Sequence, residues 1–164
     1  MVRNNLEIEN ANIIFRNFSG EENEFNRRGN RNFSILLSEE DALKLANDGW
    51  NVKSYTANDG AETIYHLSVK VSYAKFPPCV WLITKQKWKT LLNERTIGSL
   101  DYADILSADI IIRPYNWNVT GKTGVKAYLK TAYITIQEDR FAAKYAEEEF
   151  PDEDDDEVPF DDVW

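Results

Sequence analysis

Two stretches of the sequence space cations and aromatic rings two residues apart. In "IIIRPYNWNV", Arg113, Tyr115 and Trp117 alternate with Pro114 and Asn116. In "GVKAYLK", Lys126, Tyr128 and Lys130 alternate with Ala127 and Leu129. Successive side chains of an extended chain point to opposite faces, so each set shares one side of its strand. If the intervening "VTGKTG" turns the chain back, the sets merge into one surface of interleaved charge and ring. Such a surface suits a single-stranded nucleic acid, with bases stacking on the rings while cations follow the phosphates. Stacking needs no particular base. The competing reading is plain: Tyr and Trp are common strand residues, and Lys a common solvent-face residue.

Other chemistries find less support. "VTGKTG" contains the Gly-Lys-Thr that ends a phosphate-binding loop, but Asn116 stands where that loop needs its first glycine. A strand pattern follows where a helix is required. It reads as a hairpin turn of the longer, Gly-flanked kind, with Lys122 in it. His66 is the single imidazole; Ser68 and Ser72 share its face, and no nucleophile or oxyanion motif accompanies them. One His and one Cys79 cannot assemble a zinc site. Asp101 and Asp104 read as helix-terminus groups. The expectation is a protein that is not an enzyme and has no catalytic residue, metal or cofactor.

The elements that must position the basic and aromatic residues are mostly strands. Residues 6–17 have the β-branched content of one strand, and the polar "GEENEFNRRGNRN" that follows is a loop. "FSILLS" (33–38) is a short buried strand. Ser38 and Asp41 resemble a capping box opening a helix that Gly49 ends. In "ETIYHLSVKVSYAKF", Leu67, Val69, Val71 and Tyr73 lie on one face, with His66, Ser68, Lys70 and Ser72 on the other. Pro77 and Pro78 stop that strand. "CVWLIT" begins another, which "KWKTLL" continues or pairs with, and "ERTIGSLDYADI" is a short helix or turn-rich link. Two more strands, 108–119 and 124–137, carry the alternating cations and rings, and "DRFAAKYAEEEF" reads as a closing helix.

This pattern predicts a mainly β fold: an OB-like five-stranded Greek-key barrel with one or two short helices. In such a fold Arg27, Arg28 and Arg31 of "NRRGNRNF" occupy a loop placed to close over a bound strand. Lys70 faces outward, and Lys85, Lys87 and Lys89 surround Trp88. No apolar run is long enough to span a bilayer, and the start lacks the compact apolar segment of a signal peptide. The expected location is intracellular: the cytoplasm of a bacterial host if the chain is phage-encoded.

The net charge of −9 needs dividing before it is used. Eleven of the 28 acids fall in residues 147–164, without a Lys or Arg, leaving 17 acids against 19 bases in residues 1–146. The expected organisation is a nucleic-acid-binding domain at 1–146 and a disordered acidic interaction tail at 147–164. A tail that only aided solubility would have no use for Phe160 and Trp164. A tail that is a ligand would: acids steer it to a basic patch and an apolar group plugs a pocket.

"DEDDDEVPFDDVW" is similar to the C-terminal tail of bacterial single-stranded-DNA-binding proteins, which finish Asp-Asp-Asp-Ile-Pro-Phe. The matching residues are Asp155, Asp156, Glu157, Val158, Pro159 and Phe160, after which Asp161, Asp162, Val163 and Trp164 run on. The body resembles phage single-stranded-DNA-binding proteins in length, strand order and basic–aromatic face. That resemblance implies sequence-independent coating of single-stranded DNA in replication or recombination, with the tail recruiting partner proteins and no membrane involved. A homo-oligomer is left open. The alternative is an acidic inhibitor, a DNA mimic that binds a host nuclease or defence protein.

Overall fold

Alternation of apolar and polar residues builds most of this chain. In the computed structural model, which describes residues 2–57, 60, 62–84 and 88–137, the inward row Leu67, Val69 and Val71 is buried, while His66, Ser68 and Lys70 face partly outward. The strands are β1 (Leu6–Ile8), β2 (Asn12–Asn17), β3 (Arg31–Leu37), β4 (Val52–Thr56), β5 (Thr63–Val71), β6 (Cys79–Ile83), β7 (Lys89–Leu92), β8 (Ile105–Val119) and β9 (Lys122–Ile136). Helix α1 spans Glu39–Asn47, and a 3-10 turn spans Ile97–Asp101. The described chain is thus mainly β with one α-helix.

The main path through the sheet is β1-β8-β9-β5-β3-β2. β9 is the hub. It runs antiparallel to β8 along nearly its whole length, parallel to β5 at Ala127 and Tyr128, and parallel to β6 from Thr131 to Thr135. β4 adds to the edge of β5, and β7 to that of β6. Phe18 and Phe33 stack at 5.0 Å in the core, which Ile97 and Leu100 of the 3-10 turn complete.

Helix α1 starts and stops as its sequence dictates. The Ser38 hydroxyl accepts from the Asp41 amide, and Glu39, Glu40 and Asp41 occupy the first turn, where the helix dipole favours acids. Gly49, at φ +109, takes the positive-φ position that ends it.

Several expectations are corrected. Among the described residues nine strands are present where five were expected, and the path has two ends, β1 and β2, instead of closing. One cause is that 6–17 is not continuous. Asn10 turns at φ +52, its amide donating to Asp109 Oδ1, and the Ala11 amide donates to Ala108 O. β4 was not foreseen, because it is a largely exposed edge strand with no buried row to mark it. Asp101 stands at the C-terminal end of its turn, where its carboxylate accepts from the Phe18 and Ser19 amides and the Ser19 hydroxyl. It is thus a helix-terminus residue, as expected, but its carboxylate serves to tie two chain segments together. The expected closing helix and acidic tail lie outside the described residues. Among the described residues no helix is long and apolar enough to cross a membrane.

The β8–β9 turn is shorter than its glycines suggested. Val119 pairs with Lys122, leaving two loop residues, Thr120 at φ +48 and Gly121 at φ +83. Two positive φ angles define the type I′ turn, whose twist matches that of a hairpin. Glycine takes its angle freely, whereas Thr120 does so at a cost. Thr120→Asn, which restores the favoured Asn-Gly pair, is therefore expected to raise unfolding free energy by about 1 kcal/mol in urea titrations.

Candidate nucleic-acid interface

The hairpin register decides which side chains meet. Arg113 lies opposite Tyr128, Tyr115 opposite Lys126, and Trp117 opposite Gly124. On the other edge of β9, Lys70 of β5 lies beside Tyr128. A side chain at 124 would overlap the Trp117 indole, so the glycine lets that ring lie against the strand. A bulge follows: Ile112 pairs with Leu129 and Ile111 with Thr131, leaving Lys130 exposed with no residue opposite.

Tyr115, Tyr128 and Phe76 form one cluster. Tyr115 stands edge-on to Tyr128 at 5.9 Å, and Phe76 lies 5.1 Å from Tyr128 and 6.2 Å from Tyr115. Arg113 lies over Phe76 at 5.1 Å and Lys75 over Tyr115 at 5.5 Å. Tyr128 is only 7% exposed, so it supports the other two rings from below. The open stacking surface is that of Tyr115 and Phe76.

Beside this cluster, between β4 and β9, the charges are of one sign. Lys53, Lys70 and Lys126 line a cleft of about 160 Å³ between β4 and β9. Burial holds the Lys70 ammonium below its ordinary pKa, and the neighbouring Lys126 and Lys53 lower it further. The outward strand positions around them are Asn32, Ser34, His66, Ser68, Arg113 and Tyr115, with no carboxylate among them.

Lys70 also lines a second cleft of about 290 Å³, with Arg31, Tyr73, Glu94 and Tyr128. Arg31 lies over the Tyr73 ring at 5.8 Å. Arg31 Nε and the Tyr73 hydroxyl are buried there without a hydrogen-bond partner. Burial raises the Tyr73 pKa, Arg31 opposing and Glu94 adding to the shift, so its hydroxyl keeps its proton. Arg31, Lys70 and the Tyr73 ring thus line one cleft, a lining that favours an anion over a cation. The Arg31–Glu94 pair, at 3.4 Å with Glu94 60% exposed, is weak enough to give way to such an anion.

The structure therefore gathers Lys70, Arg113, Tyr115, Trp117, Lys126 and Tyr128 on one face, whereas Arg31 pairs with Val71 of the inward row and meets Lys70 only in the second cleft. Lys122 shares the strand parity of Lys126 at the hairpin tip, and Lys130 projects from the bulge. Arg27 and Arg28 are exposed on the β2–β3 loop, and no described contact brings their side chains to either cleft, although Gly29 lines one. Lys85, Lys87 and the tail residues Asp155–Trp164 lie outside the described residues.

The chain carries the same signal as a whole. The family model described as "Putative phage ssDNA-binding domain" matches residues 1–163. The chain belongs to this family. It is a binding protein and not an enzyme. Several solved structures share its fold, two of which are the following. One is the C-terminally truncated single-stranded DNA-binding protein of bacteriophage Enc34, at 11% identity and TM-score 0.52, covering 82% of this chain and 87% of that one. The other is the Enc34 protein in complex with ssDNA, at 12% identity and TM-score 0.52, covering 84% and 89%. No curated protein matches by sequence.

Sequence reasoning about this phage ssDNA-binding domain missed Lys53, Lys75 and Phe76 as groups of the face, and Tyr73 as part of the second cleft. Phe76 had a signal, since it continues the even-numbered row of Ser68 and Lys70 before the prolines. His66 is also on the face, half-buried, its Nδ1 3.0 Å from the Ser34 hydroxyl. Burial, and then Lys53, lower its pKa. An NMR titration of this single histidine is expected to give a midpoint below the ordinary value of about 6.5. The unfolded chain then takes up the proton first, so stability is full above that ordinary value and falls as the pH drops below it. Replacing His66 by Gln should flatten that part of the pH–stability curve.

Proposed function

We propose that the chain binds single-stranded DNA without sequence preference across the outward face of β5, β9 and β8. The observation that carries this reading is the cross-strand pairing of Arg113 with Tyr128 and Tyr115 with Lys126, with Lys70 alongside and no carboxylate interleaved. Bases stack on Tyr115 and Phe76, with Trp117 further along the hairpin, while Lys126 and Lys70 take phosphates and Arg31 lines the second cleft beside Lys70. Membership of the phage family and the likeness to a protein solved with ssDNA support it. A DNA mimic would need acids on the folded face, and this face has cations.

The strand order supports an OB-like reading of the body. Taken together, β1 and β2 make one interrupted first strand, which pairs with β3 at one end and with β8 at the other. The order then becomes β2-β3-β5-β9-β8-β1, a five-member Greek-key circuit with a parallel β5–β9 contact. β4, β6 and β7 are additions to it. Residues 1–146 would form this domain. The acidic segment 147–164 would recruit replication or recombination proteins through Phe160 and Trp164, in the cytoplasm of the bacterial host. Its acids would also compete with DNA for the cations of the face.

Binding of a fluorescent oligo-dT to the full chain over a salt series tests the interface. Tyr115→Ala should weaken binding by about 1–3 kcal/mol. Lys70→Ala and Lys126→Ala should each lower the slope of log affinity against log salt by about 0.7 for the phosphate contact removed. Absence of binding even at low salt would end this reading and send the search to protein ligands.

A further inference from the structure

One aromatic residue of β2 stands where strand alternation would not put it. Ile13 is buried opposite Ile35, so regular alternation would send Phe15 inward as well. Instead the β2–β3 register slips between Ile14 and Asn17, and Phe15 adopts φ +51. Bulky L-residues rarely take that conformation, and a bulge that demands it normally carries glycine. The result is a phenylalanine 53% exposed, edge-on to His66 at 5.3 Å and to Tyr55 at 6.2 Å. Tyr55 is itself 54% exposed. Core packing explains neither ring. A strained backbone that turns an aromatic side chain toward solvent points to a ligand.

The position of this pair suggests which ligand. His66 and Lys70 lie four residues apart on β5, about 13 Å along the strand. Lys53 sits opposite His66 on β4, and the cleft lined by Lys53, Lys70 and Lys126 fills the interval. The Phe15–Tyr55 pair is therefore joined to the Tyr115–Phe76 cluster by an unbroken row of cations. Ring, cation row and ring is the order of groups that an extended single strand presents as base, phosphates and base.

We propose that Phe15 and Tyr55 form a second base-stacking station, which single-stranded DNA reaches from the Tyr115–Phe76 cluster by crossing Lys126, Lys70 and Lys53. This rests on the single-stranded-DNA reading above and extends it to a part of the face that no sequence pattern marked. The occupant is nucleic acid because the cations between the stations match a phosphate backbone. A docked protein would have to neutralise three lysines to cover the same rings.

The test uses the full chain, Phe15→Gly, Tyr55→Ala and, for the first station, Tyr115→Ala, with oligo-dT of about 16 nucleotides, the upper range covered by one such fold. Glycine accepts the φ of position 15 without strain, so Phe15→Gly removes the ring and keeps the backbone. Phe15→Gly and Tyr55→Ala should each weaken binding at least about fivefold, with the salt slope unchanged because no phosphate contact is lost. The wild-type His66 ring signals, followed at about pH 8 where the ring is neutral, should shift on saturation with the oligonucleotide. Unmoved His66 signals in a wild type that binds overturn the proposal, whatever the variants do. So does unchanged affinity in both variants beside a loss in Tyr115→Ala, an outcome that leaves the first station standing. No binding by the wild type at low salt overturns both readings.

Discussion

The register of the β8–β9 hairpin is the constraint on which the rest depends. Side chains alternate with period two, so a slip of one residue would drive Arg113, Tyr115 and Trp117 into the core. Several independent features fix the pairing. The two-residue turn sets its start, and Trp117 fits only over the glycine at 124. The buried pairs Ile112–Leu129 and Ile110–Ala132 reward one alignment. The second edge of β9 is held by β5 and β6, so β9 cannot slide without breaking three ladders. The bulge at Lys130 then resets the parity, which keeps Ala132 and Ile134 inward in a strand of fifteen residues.

The same logic explains how the strained conformation of Phe15 survives. An unusual φ on a bulky residue costs about 1–3 kcal/mol and persists only where its surroundings over-determine it. Here they do. On one side Ile13 is locked into the core. On the other, Arg16 donates to the Leu100 and Ala103 carbonyls, and Phe18 is fully buried with its amide bound to Asp101. Three residues of fixed destination leave Phe15 no route inward. The 3-10 turn, which resembles a mere connection, is thus the clamp that holds β2 in its irregular path.

How much could be read from the sequence followed from which signals are local. Period-two alternation located β5, β8 and β9, and the shared parity of Arg113, Tyr115, Lys126 and Tyr128 depends on nothing else. The start and stop of α1 were equally legible, because Ser38 and Gly49 act within a few residues of themselves. What was hidden depends on distant partners. β4 has no buried row of its own and exists because the edge of β5 is open to it. The break at Asn10 reflects an acceptor on Asp109, ninety-nine positions away. Phe15 reads as one more apolar residue in "NIIF", since a bulge leaves no mark in composition. Tyr128 illustrates the converse: parity placed it on the face, yet depth of burial, which parity does not report, made it a support.

Charge ties these elements to the task. Residues 1–146 are close to neutral in total, so the cationic face arises by sorting. Acids occupy the first turn of α1, the β2–β3 loop and the anchor at Asp101, while Lys53, Lys70 and Lys126 share one cleft. Their mutual repulsion, added to burial, lowers the proton affinity of Lys70, so the arrangement works against the folded state on its own. A fold selected for stability alone would have placed a carboxylate among them. Leaving the repulsion in place means that any polyanion entering the cleft relieves it, and a chain of phosphates relieves it at several points together. A compact anion could meet only one or two of those points. The spacing of the cations along β5 and β9, more than their number, therefore favours an extended strand over a small ligand.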